Sequence, residues 1–334
     1  MLPAVDRIAA VAATPTWCIL RAMLGRTPTP VDMLVPLRGP SGESVDLWRT
    51  LVSHGFHELA PMTLDEQART LSLTLRMPRG RPRRVMIGQG PRRTALVTTA
   101  GSSPSAATRA SIAGQVARVL HLDHDLASFY AVAAEDPDLA WATTGAGRML
   151  RSPSVWEDVI KTLCTTNCSW GLTLTMVRAL ETTLGELPLG SRDPLHGAFP
   201  TPEAMADQDE GFYREVVRSG YRAPSFVRLS NIVASGELDL EALGAASRED
   251  LPDAEVEEQL LALPGIGPYA TAHVMMTLGR NSKLILDSWT RPAYARLSGA
   301  RRQPTDAQIQ RRFRRYGPDA GLAFWLYVTR DWVA

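Results

Sequence analysis

Between positions 70 and 76 apolar and polar residues alternate: Leu71, Leu73 and Leu75 against Ser72, Thr74 and Arg76. A period of two puts every leucine on one face, which predicts a half-buried strand. Gly, Pro and Arg breaks at 78–82 and 88–92 set off two further short apolar runs, 85–87 and 95–97. The first hundred residues therefore predict a meander of short antiparallel strands, with one helix near 47–53. Gly101-Ser-Ser-Pro-Ser105 has linker composition. Beyond it the pattern becomes helical, over 107–121, 124–134, 154–166, 170–185, 202–208, 210–219, 224–235, 254–263, 268–279, 288–297, 305–315 and 319–331. Ser154 ahead of Val155-Trp156-Glu157, and Pro202 in the first turn after Thr201, are helix-start signals. There is no internal repeat. The predicted fold class is α+β, mostly α: a β-rich domain over 1–105, then a helical region over 106–334.

Composition changes this picture little: 334 residues, 45% apolar and 21% charged, are globular values and enough for about two domains. No apolar run approaches the ~20 residues of a membrane helix; the densest is 322–328. Asp6 and Arg7 precede only a weak apolar stretch, which argues against a secretory signal and for a cytoplasmic protein. The three cysteines, Cys18, Cys164 and Cys168, make neither a disulfide framework nor a four-thiolate zinc or iron–sulfur site. The histidine pairs His54/His57 and His121/His124 have no carboxylate pattern beside them, so no metal site is expected.

Charge matters more than its sum of +1. Seven arginines and no acid fall in 76–93, and eight arginines with the single acid Asp306 fall in 291–315. Acids gather in 203–258. A neutral chain with two basic blocks suits a protein with one nucleic-acid face, and suits solvated loops as well. Among 36 basic residues only Lys161 and Lys283 are lysines.

Residues 254–290 carry the chemistry: AEVEEQLLALPGIGPYATAHVMMTLGRNSKLILDSWT. A helix ends near Leu263, Pro264-Gly265-Ile266-Gly267 turns tightly, and Pro268 opens a second helix. The glycines permit positive φ and bare backbone, whose N–H groups can meet a phosphate beside a helix N-terminus; Ile266 would pin the turn in the core. LPGIG-P-Y-A-T-A, with Asp287 opening a helix, resembles the helix-hairpin-helix–GPD superfamily of DNA base-excision glycosylases. The resemblance extends to 155–185, to Phe199-Pro-Thr-Pro-Glu203 and to Gly220-Tyr-Arg-Ala223, and covers roughly 107–334. An N-terminal antiparallel sheet suits the 3-methyladenine II and 8-oxoguanine branches rather than that of endonuclease III. The resemblance implies a two-lobed helical core, split near 153 and 250, with its hairpin at 254–279.

It also implies roles. Asp287 matches the family's aspartate, eighteen residues after Tyr269. Glycosidic cleavage builds positive charge on the sugar, which a fixed carboxylate stabilises, and the same group can orient the attacking water. A helix N-cap at Asp287 is compatible with both. Tyr269 stands where bifunctional members keep a Schiff-base lysine, so strand cleavage is not expected. An aromatic there can stack on the extruded base or simply fill the core. Lys283 is expected on a loop surface. Asn167, with Cys168, lies where relatives plug the gap left by the flipped nucleotide, or else ends a helix. Trp170, Tyr221 and Trp289 can wall the base pocket or belong to the core. Gly265, Ile266, Gly267, Tyr269 and Arg291 would meet DNA phosphate, although Arg291 suits an internal ion pair equally.

The expectation is a monofunctional glycosylase, acting as a monomer on double-stranded DNA and leaving an abasic site. No cofactor is needed; a monovalent cation at the hairpin occurs in the family. An alkylated purine leads among substrates, with a bulky phage-type base, 8-oxoguanine and deaminated bases behind it. A non-catalytic DNA-binding module is the alternative from another class.

Overall fold

The computed structural model describes residues 31–100 and 103–332; the N-terminal expectations and Cys18 lie outside them, as do Gly101 and Ser102 of the linker. Five strands, β1 (Val31–Pro36), β2 (Thr63–Asp65), β3 (Thr70–Leu75), β4 (Arg83–Gln89) and β5 (Thr94–Thr99), form one antiparallel sheet in the order β1-β5-β4-β3-β2. The meander is β2 to β5, and β1 closes the far edge by pairing Val31 with Thr99 and Pro36 with Thr94. Leu71, Leu73 and Leu75 are fully buried, as their alternation predicts. Two strands escape the sequence pattern. β2 is too short to show a period, and β1 ends on a proline, as edge strands tolerate.

The helix predicted near 47–53 is α1 (Leu47–Leu51), capped by Asp46. The linker residue Ser105 caps α2 (Ala106–Val119) through its hydroxyl. Ile112, Val116 and Val119 of α2 share the core of the sheet, so this helix packs with the strands although it lies past position 105. The other helices form two further cores. One contains α4 (Val155–Thr165), α5 (Trp170–Leu184), α6 (Pro202–Ala206), α7 (Glu210–Glu215), α8 (Ala223–Ala234), α9 (Leu240–Ala245), α10 (Asp253–Leu261) and most of α11 (Pro268–Thr277). The second combines α3 (Ala127–Ala133) with α12 (Thr290–Leu297), α13 (Asp306–Phe313) and α14 (Ala320–Thr329).

Most boundaries fall within a few residues of the pattern. The helix α9 was not expected, because six residues with an internal glycine carry too little periodicity. The dense apolar run 322–328 is the middle of α14, every residue of which is buried in the second lobe. Among the described residues no helix is long and apolar enough to cross a membrane.

Two arginines of the block 76–93 hold the sheet to the first lobe. Arg76 donates to the Phe199 carbonyl and pairs with Glu186 at 3.0 Å, and Arg81 donates to the Leu187 carbonyl. Thr74 reaches the His196 carbonyl from the same face. Arg84 turns back to Pro61, while Arg79, Arg92 and Arg93 are exposed. The second block is also partly spent: Arg296 pairs with Asp331, and Arg312 and Arg315 converge on buried Asp136.

Candidate active site

The hairpin joins α10 to α11. Gly265 sits at φ +80°, and a Cβ there would come within 2.7 Å of Ser225 Oγ and 2.9 Å of a Leu163 methyl, so glycine is required by backbone and space together. Gly267 differs from expectation: its φ of −100° suits any residue, and a Cβ would point into open space. What its bareness keeps clear is the approach to the α11 N-terminus. Ile266 is buried, as expected of the residue that pins the turn, and its N–H already donates to the Leu263 carbonyl at 3.2 Å. Ile266 therefore anchors, and the unspent N–H groups belong to Gly265, Gly267 and Tyr269.

Tyr269 opens α11 half-buried and packs against both helical cores, which places it at the seam of the two lobes. Burial pushes its phenol pKa up, Thr165 opposes this through a hydrogen bond, and the charges of Asp287 and Cys168 add to the rise. Asp287 is also half-buried. Its Oδ1 accepts the N–H groups of Trp289 (2.8 Å) and Thr290 (2.7 Å), while the Thr290 hydroxyl accepts the Asp287 N–H and donates to the Ile285 carbonyl. This clasp holds the turn that leads into α12, whose first residue is Thr290, and fixes the carboxyl plane. It leaves Oδ2 without a hydrogen bond or ion pair among the described residues.

Across the seam, Ser169 caps α5 and the chain reverses between α4 and α5 at Asn167, which is exposed at φ +44°. Asparagine is among the few side chains that visit this region. Its Nδ2 donates to Tyr221 Oη at 3.2 Å, and Tyr221 rests on the Arg222 guanidinium at 4.6 Å, which in turn donates to Thr166. Cys168 is turned inward, its thiol donating to the Cys164 carbonyl at 3.1 Å, so only Asn167 of the expected wedge pair is presented outward.

The three aromatic candidates are all surface residues: Trp170 is 37% exposed, Tyr221 61% and Trp289 42%. Trp170 lies over Gly55 and donates to Glu58 at 2.9 Å, joining α5 to the turn at 55–58 that follows α1. Trp289 packs at a tilt against Trp332 (5.1 Å) and Trp325 (6.1 Å), two residues from Asp287. Tyr221 belongs with Asn167 rather than with Asp287. Arg291 makes a bidentate pair with Asp306 at 2.8 and 3.0 Å, so the internal ion pair is the alternative realised for it. Lys283 is on the surface as expected, paired with Glu257 at 2.7 Å. Lys161 is fully buried against Glu157, under the Phe56 and Phe199 rings. Among the described residues no group of three His, Cys, Asp or Glu side chains could hold a metal ion.

Sequence reasoning missed His273 and weighed His54 only as half of a metal-binding pair with His57. His273 stands one turn after Tyr269 on α11, 6.2 Å from it ring to ring, and the i,i+4 spacing was legible. His54, from the segment after α1, meets His273 edge-on at 5.4 Å, a contact that no sequence spacing announces.

No family model matches the chain, and no curated protein matches it. Solved structures do. The chain superposes on a 3-methyladenine DNA-glycosylase from Archaeoglobus fulgidus with a TM-score of 0.68 at 19% identity, over 91% of this chain and 99% of that one. It matches MBOgg1, solved in complex with a low-affinity DNA ligand, with a TM-score of 0.67 at 20% identity, over 93% and 99%. The 8-oxoguanine glycosylase/lyase of Clostridium acetobutylicum, solved with double-stranded DNA containing cytosine opposite 8-oxoguanine, gives 0.65 at 18%, over 87% and 93%. The chain thus has the α+β fold of these DNA glycosylases, the fold that its hairpin segment resembles.

Proposed function

We propose that this chain is a monofunctional DNA N-glycosylase. It would bind duplex DNA as a monomer, extrude one modified base, and hydrolyse its N-glycosidic bond to leave an abasic site. The observation that carries the reading is Asp287: one carboxylate oxygen is clamped by two backbone N–H groups, the other makes no hydrogen bond or ion pair among the described residues, and the charge is close enough to Tyr269 to raise its phenol pKa. A carboxylate so fixed stabilises the positive charge that grows on the sugar as the base departs, and its open oxygen can accept a proton from the attacking water.

The remaining groups fall into supporting roles. The bare N–H groups of Gly265 and Gly267, with the N-terminus of α11, would take a phosphate of the lesion strand. Among the described residues the Pro264, Gly265 and Ile266 carbonyls accept no backbone hydrogen bond, a set of neutral oxygens that fits a monovalent cation. Asn167, at the tip of the reversal and held by Tyr221, would enter the gap left by the extruded nucleotide. Tyr269 would offer its ring to the base. The exposed Arg218 and Arg228 can add charge toward the backbone of the duplex.

Absence of strand cleavage follows from Tyr269 in the lysine position and from the two lysines, one buried in an ion pair and one paired on the surface. With no Schiff-base nucleophile the reaction depends on a base that leaves readily, which favours alkylated purines. The test is single-turnover reaction of duplexes carrying one lesion each: a 3-methyladenine analogue, 7-methylguanine, hypoxanthine, 8-oxoguanine, uracil or glucosylated hydroxymethylcytosine. Breaks that need alkali, with no borohydride-trapped adduct, are expected. Strand breaks without alkali overturn the monofunctional reading, and salt-dependent duplex binding without release of any base favours the binding module.

A further inference from the structure

Next to Tyr269, three imidazole nitrogens are buried without a hydrogen-bond partner among the described residues. They are both nitrogens of His273, itself only 9% exposed, and Nδ1 of His54. The fourth nitrogen, His54 Nε2, lies 2.7 Å from the Leu150 carbonyl. A carbonyl only accepts, so Nε2 carries the proton, and Nδ1 of the neutral ring is left as a bare acceptor. Phe56 closes the group from the turn after α1, with its ring 4.5 Å from His54 and 5.3 Å from His273. Burial holds both rings neutral: His273 is lowered to about 4, against an upward pull from the Asp287 charge, and His54 lies well below its ordinary value.

Buried polar nitrogens are satisfied in folded proteins almost without exception, so three in one place mark a missing partner. We infer that His273, met edge-on by His54 and packed against the tilted Phe56 ring, hydrogen-bonds the polar edge of the extruded base and thereby selects the substrate. The inference rests on the glycosylase reading above. A neutral imidazole supplies one donor and one acceptor, which matches a purine edge carrying both. Because neither histidine is charged, the floor does not repel a cationic alkylpurine, as a lysine or arginine in its place would. Neither His273 nitrogen touches solvent in this conformation, and half-buried Tyr269 is its neighbour toward the seam. For the base edge to meet the imidazole, the Tyr269 ring has to turn aside from His273 while keeping its face to the base.

The test uses the full chain with the lesion that the wild type releases fastest, and a duplex carrying a tetrahydrofuran abasic analogue, which has no base to read. The variant His273→Phe keeps a ring of similar shape and removes both nitrogens, whereas His273→Gln keeps a donor and an acceptor. His273→Phe is expected to slow single-turnover release about 10–100-fold, the cost of an unpaired polar edge, with tetrahydrofuran binding within about twofold of wild type. Most of the rate should return in His273→Gln. Release by His273→Phe within threefold of wild type overturns the inference and leaves the glycosylase reading intact. So does a parallel loss of tetrahydrofuran binding and thermal midpoint in both variants, which makes His273 a packing residue. A wild type that releases no base overturns the glycosylase reading and this one with it.

Discussion

On the proposed function, replacement of Asp287 by asparagine separates two jobs of one side chain. The asparagine Oδ1 still accepts the Trp289 and Thr290 N–H groups, so the clasp at the start of α12 survives. What disappears is the charge on the open oxygen. A carboxylate ~4 Å from a developing unit charge is worth ~4 kcal/mol at an effective dielectric of ~20. Because the charge on the sugar is only partial, about 3–4 kcal/mol is a fair share, or a 10²–10³-fold loss of rate. The cost to folding is far smaller: loss of a negative charge just ahead of a helix N-terminus removes ~0.3–1 kcal/mol, a shift in Tm of about 2–4 °C at most for a large domain. Asp287→Ala should lose the same rate and a further ~1 kcal/mol, because it also strips the cap. Single-turnover base release with saturating enzyme, beside thermal melts of both variants, measures each part. An asparagine variant within tenfold of wild type would refute the assignment of the carboxylate to catalysis.

Three other outcomes are expected. Gly265→Ala forces a non-glycine residue to φ +80° and drives its Cβ against Ser225 and Leu163; it should cost about 1–3 kcal/mol and weaken duplex binding, read by urea unfolding and fluorescence anisotropy, and a variant unchanged in both would contradict the hairpin reading. Asn167→Gly keeps the left-handed backbone while deleting the side chain, so its stability should stay within about 1 kcal/mol as base release falls roughly tenfold from loss of the plug; equal rates would remove Asn167 from the mechanism. Burial pushes Glu181 up to about 8, with Lys161 and Arg84 opposing. Between about 4.5 and 8 the folded chain holds a proton there that the unfolded chain has released, so this group makes stability fall as pH rises, by at most ~1.4 kcal/mol per unit. Glu181→Gln should match wild type near pH 5 and exceed it near pH 8 in chemical denaturation; an unchanged pH slope would argue that Glu181 is charged in the fold.

The sequence by itself determined whatever depends on local order. Alternating Leu71, Leu73 and Leu75 dictate a strand because side chains there have a period of two, and Ser154, Ser169 and Thr201 start helices because a hydroxyl satisfies the first free N–H groups. The glycine at 265, the proline at 268 and the aspartate at 287 could be placed on a turn, a helix start and a cap from spacing alone. Tertiary structure decided everything that depends on which surfaces meet. Arg291 is spent on Asp306, fifteen residues away, and Arg76 on Glu186, more than a hundred away, so charge counts did not reveal which arginines stay available. Cys168 turned inward and Asn167 outward because only one side of the reversal faces the first core. His54 came against His273 at the candidate site because α2 and the sheet dock beside the first lobe, and the turn after α1 is carried there with them. No periodicity records such a contact, since hydrophobic burial specifies that faces are covered and leaves the identity of the covering residue to packing.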